Sequence, residues 1–297
     1  MSHQIRARAS YDLHLHTRWS YDASADPEHC LARASSLGMR CLAITEHHNL
    51  DSQQEIFAAA VRHGGVRILR AAELSVSTSI GPVDLVCIGF PEAWPEALRG
   101  LMDRYHRWQR EYGSALCRGM QALGFDYTDR DRTKLLESYR PRQVLALQGA
   151  THVSNEIQRD YFLERGFIAG KDEYAPLLGR LRQQQGLPGY PPAHEVVPIV
   201  HTVGALVIIA HPAEYFHGAD LARMDALRAE CQLDGIECAH PAVPLELTPV
   251  YRQYCRQHGL LSTAGTDCHC DREIDQMLGC HGGEEPWLDE LLERVEQ

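Results

Sequence analysis

Lysine is almost missing from this 297-residue chain: Lys134 and Lys171 are the only two, and acidic residues outnumber Lys and Arg by 40 to 29. There is no run of basic residues, and the formal net charge is -11. That balance argues against a long nucleic acid as partner, because such binding rests on Lys and Arg neutralising phosphates. A small anionic substrate stays open, since bound metal ions can supply positive charge locally. No apolar run is long enough to cross a bilayer and no stretch reads as a secretory signal, so no membrane association is expected. The 10 cysteines lack the dense, regular spacing of a disulfide framework. Several sit in apolar runs (Arg40-Cys41-Leu42, Val86-Cys87-Ile88), as buried free thiols in a reducing cytoplasm would. No internal repeat or low-complexity segment is present, and the chain is large enough to form a core without a structural staple.

What is present is an alternation of short apolar strands and helices. Tyr11 to Leu15, Cys41 to Thr45, Val66 to Ala71 and Val83 to Phe90 read as strands. Pro27 to Leu37 reads as a helix capped by Asp26 and closed by Gly38, and Ser52 to His63 as a helix ended by Gly64-Gly65. This rhythm predicts an α/β fold with a parallel sheet and right-handed crossovers. From Glu96 to Leu123 the apolar residues fall at helical spacing, which makes Trp108 and Tyr112 helix core rather than a nucleobase platform. Residues 92–190 read as a helical insertion ending in the turn-rich Gly186-Leu-Pro-Gly-Tyr-Pro-Pro192. From Glu195 the alternation resumes, with strands at 205–210, 235–238 and 260–264 and a final amphipathic helix from Pro286 to Val295.

Five short stretches place His and carboxylate residues where expected strands end: Asp12-Leu13-His14-Leu15-His16, Thr45-Glu46-His47-His48, Ala72-Glu73, Ala210-His211-Pro212 and Thr266-Asp267-Cys268-His269. Any one of the 17 histidines is by itself an ordinary core or surface residue. Five such placements converge only if the strands lie side by side with one polarity, so that their C-terminal ends share a rim. Residues two apart on a strand face the same way, so His14 and His16 can aim at one point, and Asp267 and His269 can do the same. Imidazoles and carboxylates together suit several divalent metals, Mn, Fe or Zn. A metal-dependent hydrolase is the expectation.

These motifs resemble those of the PHP (polymerase and histidinol phosphatase) family of metal-dependent phosphoesterases. The matching stretches are Asp12-Leu-His-Leu-His-Thr17, Ile44-Thr-Glu-His47, Ala210-His-Pro212 and Gly265-Thr-Asp-Cys-His269, with Glu73 of Ala72-Glu-Leu-Ser75 at the position of a bridging glutamate. The resemblance implies a distorted (β/α)7 barrel, formed by 1–91 and 191–297, with the 92–190 insertion covering the metal site. It also implies two or three divalent ions. His14, His16, Glu73 and Asp267 would hold one, Asp22, His47 and His269 a second, and Glu73, His211 and His152 a third. The sequence departs from relatives in two places: Gly149 and Ala150 precede His152 where a basic residue is common, and the segment to Asp22 is one residue longer.

Glu73, His211 and Asp267 are the expected catalytic residues, acting by attack of a hydroxide that bridges the ions. For substrate contact, Arg18 could bind a phosphate oxygen or be a solvated loop residue. His48 could donate a proton or merely occupy its loop, and Ser75 could bond a phosphate or finish a strand end. Cys268 should point into the packing, and His240 and His281 read as structural or surface residues. The arrangement resembles the subgroup acting on small nucleotides such as nucleoside 3′,5′-bisphosphates. A cyclic phosphodiesterase, a 5′-3′ exonuclease on short oligonucleotides and a metal-binding regulatory module without turnover are the alternatives. A metal-dependent amidohydrolase would use a carboxylated lysine, for which the barrel portion has no lysine.

Overall fold

The computed structural model describes residues 6–296. Seven strands form one sheet in sequential order: β1 (Tyr11–Leu15), β2 (Cys41–His47), β3 (Arg67–Thr78), β4 (Gly81–Ile88), β5 (Leu206–Ile209), β6 (Gly235–Ala239) and β7 (Leu261–Ala264). A parallel bridge between Leu15 and Cys268 brings the first strand back to the segment after the last. The result is a distorted (β/α)7 barrel. Helices connect the strands: α1 (Pro27–Ser36), α2 (Gln53–His63), α3 (Glu96–Ala122), α4 (Asp129–Tyr139), α5 (Arg142–Gln148), α6 (Asn155–Glu164), α7 (Tyr174–Gln185), α8 (Ala193–Thr202), α9 (Leu221–Glu230), α10 (Thr248–His258), α11 (Asp271–Met277) and α12 (Glu285–Val295). Among the described residues no helix is long and apolar enough to cross a membrane.

Local chemistry explains the elements that carry the site. All five residues of β1 are buried, as are those of β5, β6 and β7; strands covered on both faces suit a barrel wall. Helix α1 starts where the Asp26 side chain accepts the Glu28 N–H at 2.8 Å, with Pro27 at its first turn. It buries Cys30, Leu31 and Ala34 against Ile56 and Ala59 of α2 and Ile44 of β2.

Two expectations fail on the same element. β3 continues past Ala71 to Thr78, so Glu73 lies inside a strand rather than after it. β4 then pairs antiparallel with both β3 and β5, whereas every other neighbouring pair is parallel. The cause is the connection: only Ser79 and Ile80 separate the two strands, too few for a crossover helix, and a hairpin reverses direction. Glu73 still reaches the rim, because β2 ends at His47 directly opposite it.

The chain divides into two compact units, Met1–Met102 with Pro191–Gln297, and Asp103–Tyr190. The second unit has its own core, in which Met120, Tyr127, Phe162, Tyr174 and Leu181 meet. There the buried Arg132 guanidinium donates to the carbonyls of Ala150 and Thr151 and to Ser114 Oγ. Gly113 leaves room for it, since a Cβ there would lie 2.5 Å from Arg132 Nη1. Arg140 donates to Thr151 Oγ1 at 3.1 Å and to Gln148 Oε1 at 2.9 Å. Arg132 therefore holds the backbone just before His152, and Arg140 the side chains of Thr151 and Gln148.

In the barrel unit Gly265 marks the closest approach. A Cβ at this position would lie 2.2 Å from His14 Cβ and 2.7 Å from its backbone nitrogen, so β1 and the β7 exit pass within contact only because no side chain intervenes. Gly265→Ala should cost about 1–3 kcal/mol of stability, as overpacking does, and should lower the metal content as His14 is displaced. Denaturant unfolding with elemental analysis checks both; unchanged values would show that the two segments can part freely.

Candidate metal centre

Four electron-rich atoms converge at the mouth of the barrel. His14 and His16, on and just past β1, bring their Nε2 atoms within 3.2 Å of each other. Glu73 Oε2 lies 3.4 Å from the first and 3.3 Å from the second, and Asp267 Oδ1 lies 3.4 and 3.1 Å from them. Both imidazoles are fully buried and Glu73 is 1% exposed, so water cannot screen the crowding.

The outer hydrogen bonds decide which atoms carry protons. Glu237 Oε1, on β6, accepts from His14 Nδ1 at 3.0 Å. Ser20 Oγ donates to Glu46 at 2.6 Å and so accepts from His16 Nδ1 at 3.2 Å. In the neutral rings each Nε2 is then a bare lone pair. Two lone pairs and two carboxylate oxygens facing one another are satisfied together only by a cation. Ligands about 2.1 Å from one ion, at tetrahedral or octahedral angles, are themselves roughly 3.0–3.4 Å apart. The donor set fits a divalent ion.

A second group adjoins it. His16, His47 and His269 have ring nitrogens within 4.8 Å of one another, and Asp22 Oδ2 lies 3.4 Å from His47 Nε2. Asp22 Oδ1 is buried and takes no hydrogen bond among the described residues, an orphaned acceptor of the kind a metal ion removes. Glu73 joins the groups: its Oε2 is 3.1 Å from His47 Nδ1 and its Oε1 is 3.1 Å from His211 Nε2. Asp84 Oδ2 stands 4.0 Å from the same His211 nitrogen.

Electrostatics tell the same story. Burial alone would neutralise these groups, yet His14 and His47 hold the Glu73 carboxyl well below its usual range. His14 and His16 do the same for Asp267. Burial pushes the His47 imidazole down, but Asp22 and Glu73 outweigh it and raise it to about 10. His211, buried beside Glu73, is raised to about 9. The carboxylates thus demand positive charge here. Protons on both His14 and His16 would repel at 3.2 Å, whereas divalent ions meet the demand without that conflict.

Three residues at this rim have a left-handed backbone: His48 (φ 61), His211 (φ 30) and Asp267 (φ 55). Each such residue costs roughly 1 kcal/mol, and in each the N–H is anchored. His48 N donates to Glu73 O at 2.8 Å, His211 N to Glu237 Oε2 at 2.6 Å and Asp267 N to His14 O at 2.8 Å. Asp267 and His269 therefore face the centre from a bent loop, not from the strand alternation expected for them.

The other expected residues are placed as follows. Arg18 is held by ion pairs to Asp26 and Glu55, which ties its guanidinium to α1 and α2. His48 is buried, its Nε2 2.9 Å from Ser75 Oγ, which donates to Asp84. His152 lies in the second unit, edge-on to Trp108 and Tyr112 with centroids 5.6 and 5.4 Å away. Cys268 points into the core and away from the ligands beside it, and His281 is buried with its Nε2 2.8 Å from Tyr11 O. His240 is neither remote nor at the surface: it is buried, and its Nε2 lies 3.6 Å from Asp267 Oδ2. Sequence reasoning missed Glu237, Asp84 and Tyr215, whose hydroxyl donates to Asp84 at 2.6 Å. Glu237 carried a signal, a lone acid inside the apolar Gly235–Ala239 strand.

The comparisons agree with this geometry. The PHP domain family model matches residues 12–183, more than half of the chain, and the chain belongs to that family. Among solved structures, a candidate metal-dependent phosphoesterase from Bifidobacterium adolescentis aligns with TM-score 0.72 and 21% identity over 98% of both chains. An amidohydrolase from Chromobacterium violaceum, solved with bound sulfate and no metal, aligns with TM-score 0.71 and 23% identity over 96% of this chain and 97% of its own. No curated protein sequence matches the chain.

The Glu237 contact gives a direct test. Glu237→Ala removes the acceptor that orients His14, and loss of such a partner weakens metal binding by about 10–100-fold. Competition with a chelator should show that drop while the far-UV spectrum stays that of the parent. Equal affinity would show that His14 is oriented by its strand alone.

Proposed function

We propose that this protein is a metal-dependent phosphoesterase that acts on a small phosphorylated metabolite, a nucleotide or nucleoside 3′,5′-bisphosphate. The observation that carries the reading is the two-sided placement of Glu73, whose two oxygens face different imidazole groups 3.1–3.4 Å away. One carboxylate so placed can serve two neighbouring ions, the arrangement that suits transfer of a phosphoryl group to water. His14, His16, Glu73 and Asp267 would hold one ion, and Asp22, His47 and His269 a second. A third would use Glu73 and His211. Bound divalent ions would supply Lewis acidity and lower the pKa of a water molecule to near neutrality.

The chain's own residues set the frame for that chemistry. Glu237 and Ser20 keep the lone pairs of His14 and His16 directed inward. Asp267, kept ionised by its imidazole neighbours, accepts rather than donates. Tyr215 and Ser75 each donate to Asp84, which fixes that carboxylate beside His211. A small substrate is consistent with the -11 charge. The amidohydrolase reading lacks its usual bridge: Lys134 and Lys171 both belong to the second unit, and Lys171 pairs with Asp160 at 2.8 Å.

Protein loaded with Mn should release phosphate from nucleotides, with a nucleoside bisphosphate preferred over a cyclic diester or a short oligonucleotide. Glu73→Gln should lower kcat by about 100-fold or more while the fold survives. Turnover that rises with oligonucleotide length would overturn the small-substrate reading in favour of an exonuclease. Full activity of the Glu73 variant would overturn the bridging role.

A further inference from the structure

A cavity of about 920 Å³ opens beside the centre, bounded on one side by Asp267, His269 and His240. Its lining also includes Pro241, Val243, Pro244 and Leu245 of the loop after β6 and Met277 of α11. Three features give the cavity a direction. At the metal end, His240 Nδ1 accepts the Ala242 N–H at 2.9 Å, so Nε2 carries the proton; it is buried, and Asp267 Oδ2 stands 3.6 Å from it, beyond ordinary hydrogen-bond length. Along the wall the lining includes Pro241, Ala242, Val243, Pro244 and Leu245, an apolar run, and Leu245 is 49% exposed. The charges do not favour a second anion: Arg6 donates to the carbonyls of Val243 and His281, and Glu246 and Glu273 line the same space.

Resting on the phosphoesterase reading, we infer that this groove seats the uncharged organic part of the substrate. His240 Nε2–H is turned toward a substrate oxygen at the centre, and the flat apolar face of a nucleobase-sized group lies along Pro241–Leu245. The continuity of the groove with Asp267 and His269 fixes the occupant as the alcohol side of the ester that is cleaved at the centre. A pocket of this size accommodates a nucleoside. The substrate class is therefore a phosphomonoester of an uncharged, partly apolar alcohol, and any second phosphate of that substrate lies outside this groove.

The test compares kcat/KM for a nucleoside monophosphate with that for methyl phosphate, on metal-loaded parent and on Leu245→Glu, and measures binding of the free nucleoside by calorimetry. Leu245 lies on the loop after β6 and is 49% exposed, so the variant should fold as the parent does. The parent should prefer the nucleotide, and the variant should lose that preference by about 10-fold, with nucleoside binding weakened to match. Equal turnover of the two esters by the parent would overturn the inference, as would a preference and a nucleoside affinity unaltered by Leu245→Glu. Failure of the phosphoesterase reading looks different: no ester is hydrolysed, while nucleoside binding that is weakened by Leu245→Glu would still report the groove.

Discussion

Four lone-pair donors brought close together by the barrel govern this molecule. His14 Nε2, His16 Nε2, Glu73 Oε2 and Asp267 Oδ1 come from three separate parts of the chain, with neighbouring atoms 3.1–3.4 Å apart. Such an arrangement is unfavourable for the protein alone, because buried carboxylates and imidazole lone pairs repel and desolvation raises the cost. It is stable as the shell of a divalent ion. The barrel supplies the rigidity that keeps the atoms there, and the hydrogen bonds behind them supply the correct protonation state.

Those hydrogen bonds reach well beyond the ligands. Glu237 accepts from His14 Nδ1 with one oxygen and from the His211 N–H with the other, so a single carboxylate on β6 aligns residues from two other strands. Glu46 accepts from Thr17 and Ser20, and Ser20 in turn receives His16 Nδ1 and the His47 N–H. Asp12 accepts from Thr266 and from the Gly279 N–H, which ties β1 to the segment after β7. The strained residues His48, His211 and Asp267 each anchor their N–H in this same network. Strain of about 1 kcal/mol per residue is tolerated where several bonds determine the conformation together.

The reversal at β4 has a functional consequence. An antiparallel strand runs from the rim inward, and its Asp84 lies opposite Ser75 of the neighbouring strand. This places a carboxylate beside His211 that no parallel arrangement of β4 would deliver there. Tyr215, in the segment after β5, completes its hydrogen bonding. The same side of the barrel thereby gains a polar set distinct from the imidazole-rich side formed by β1, β2 and the β7 exit.

Much of the centre was legible from the residues in order, because short-range rules act on short stretches. The apolar runs announce buried strands, the Asp26-Pro27 start and the glycine stops delimit helices, and His and carboxylate residues at strand ends mark a rim. The motif-level match to the PHP family then assembled these into ligand sets, and the geometry brings His14, His16, Asp22, Glu73, His47, His211, Asp267 and His269 together. What stayed hidden depends on contacts between distant segments. That β4 turns back follows from a two-residue hairpin and its pairing with β5, and Glu237, Asp84 and His240 matter only because other strands carry them to the centre. Their own neighbours in the chain are apolar or loop residues like many others. Local sequence determined which elements form and which residues can bind metal; the tertiary structure decided how they converge, the acceptor that orients His14 and the groove beside them, because those depend on segments far apart in the chain, such as Glu237 behind His14.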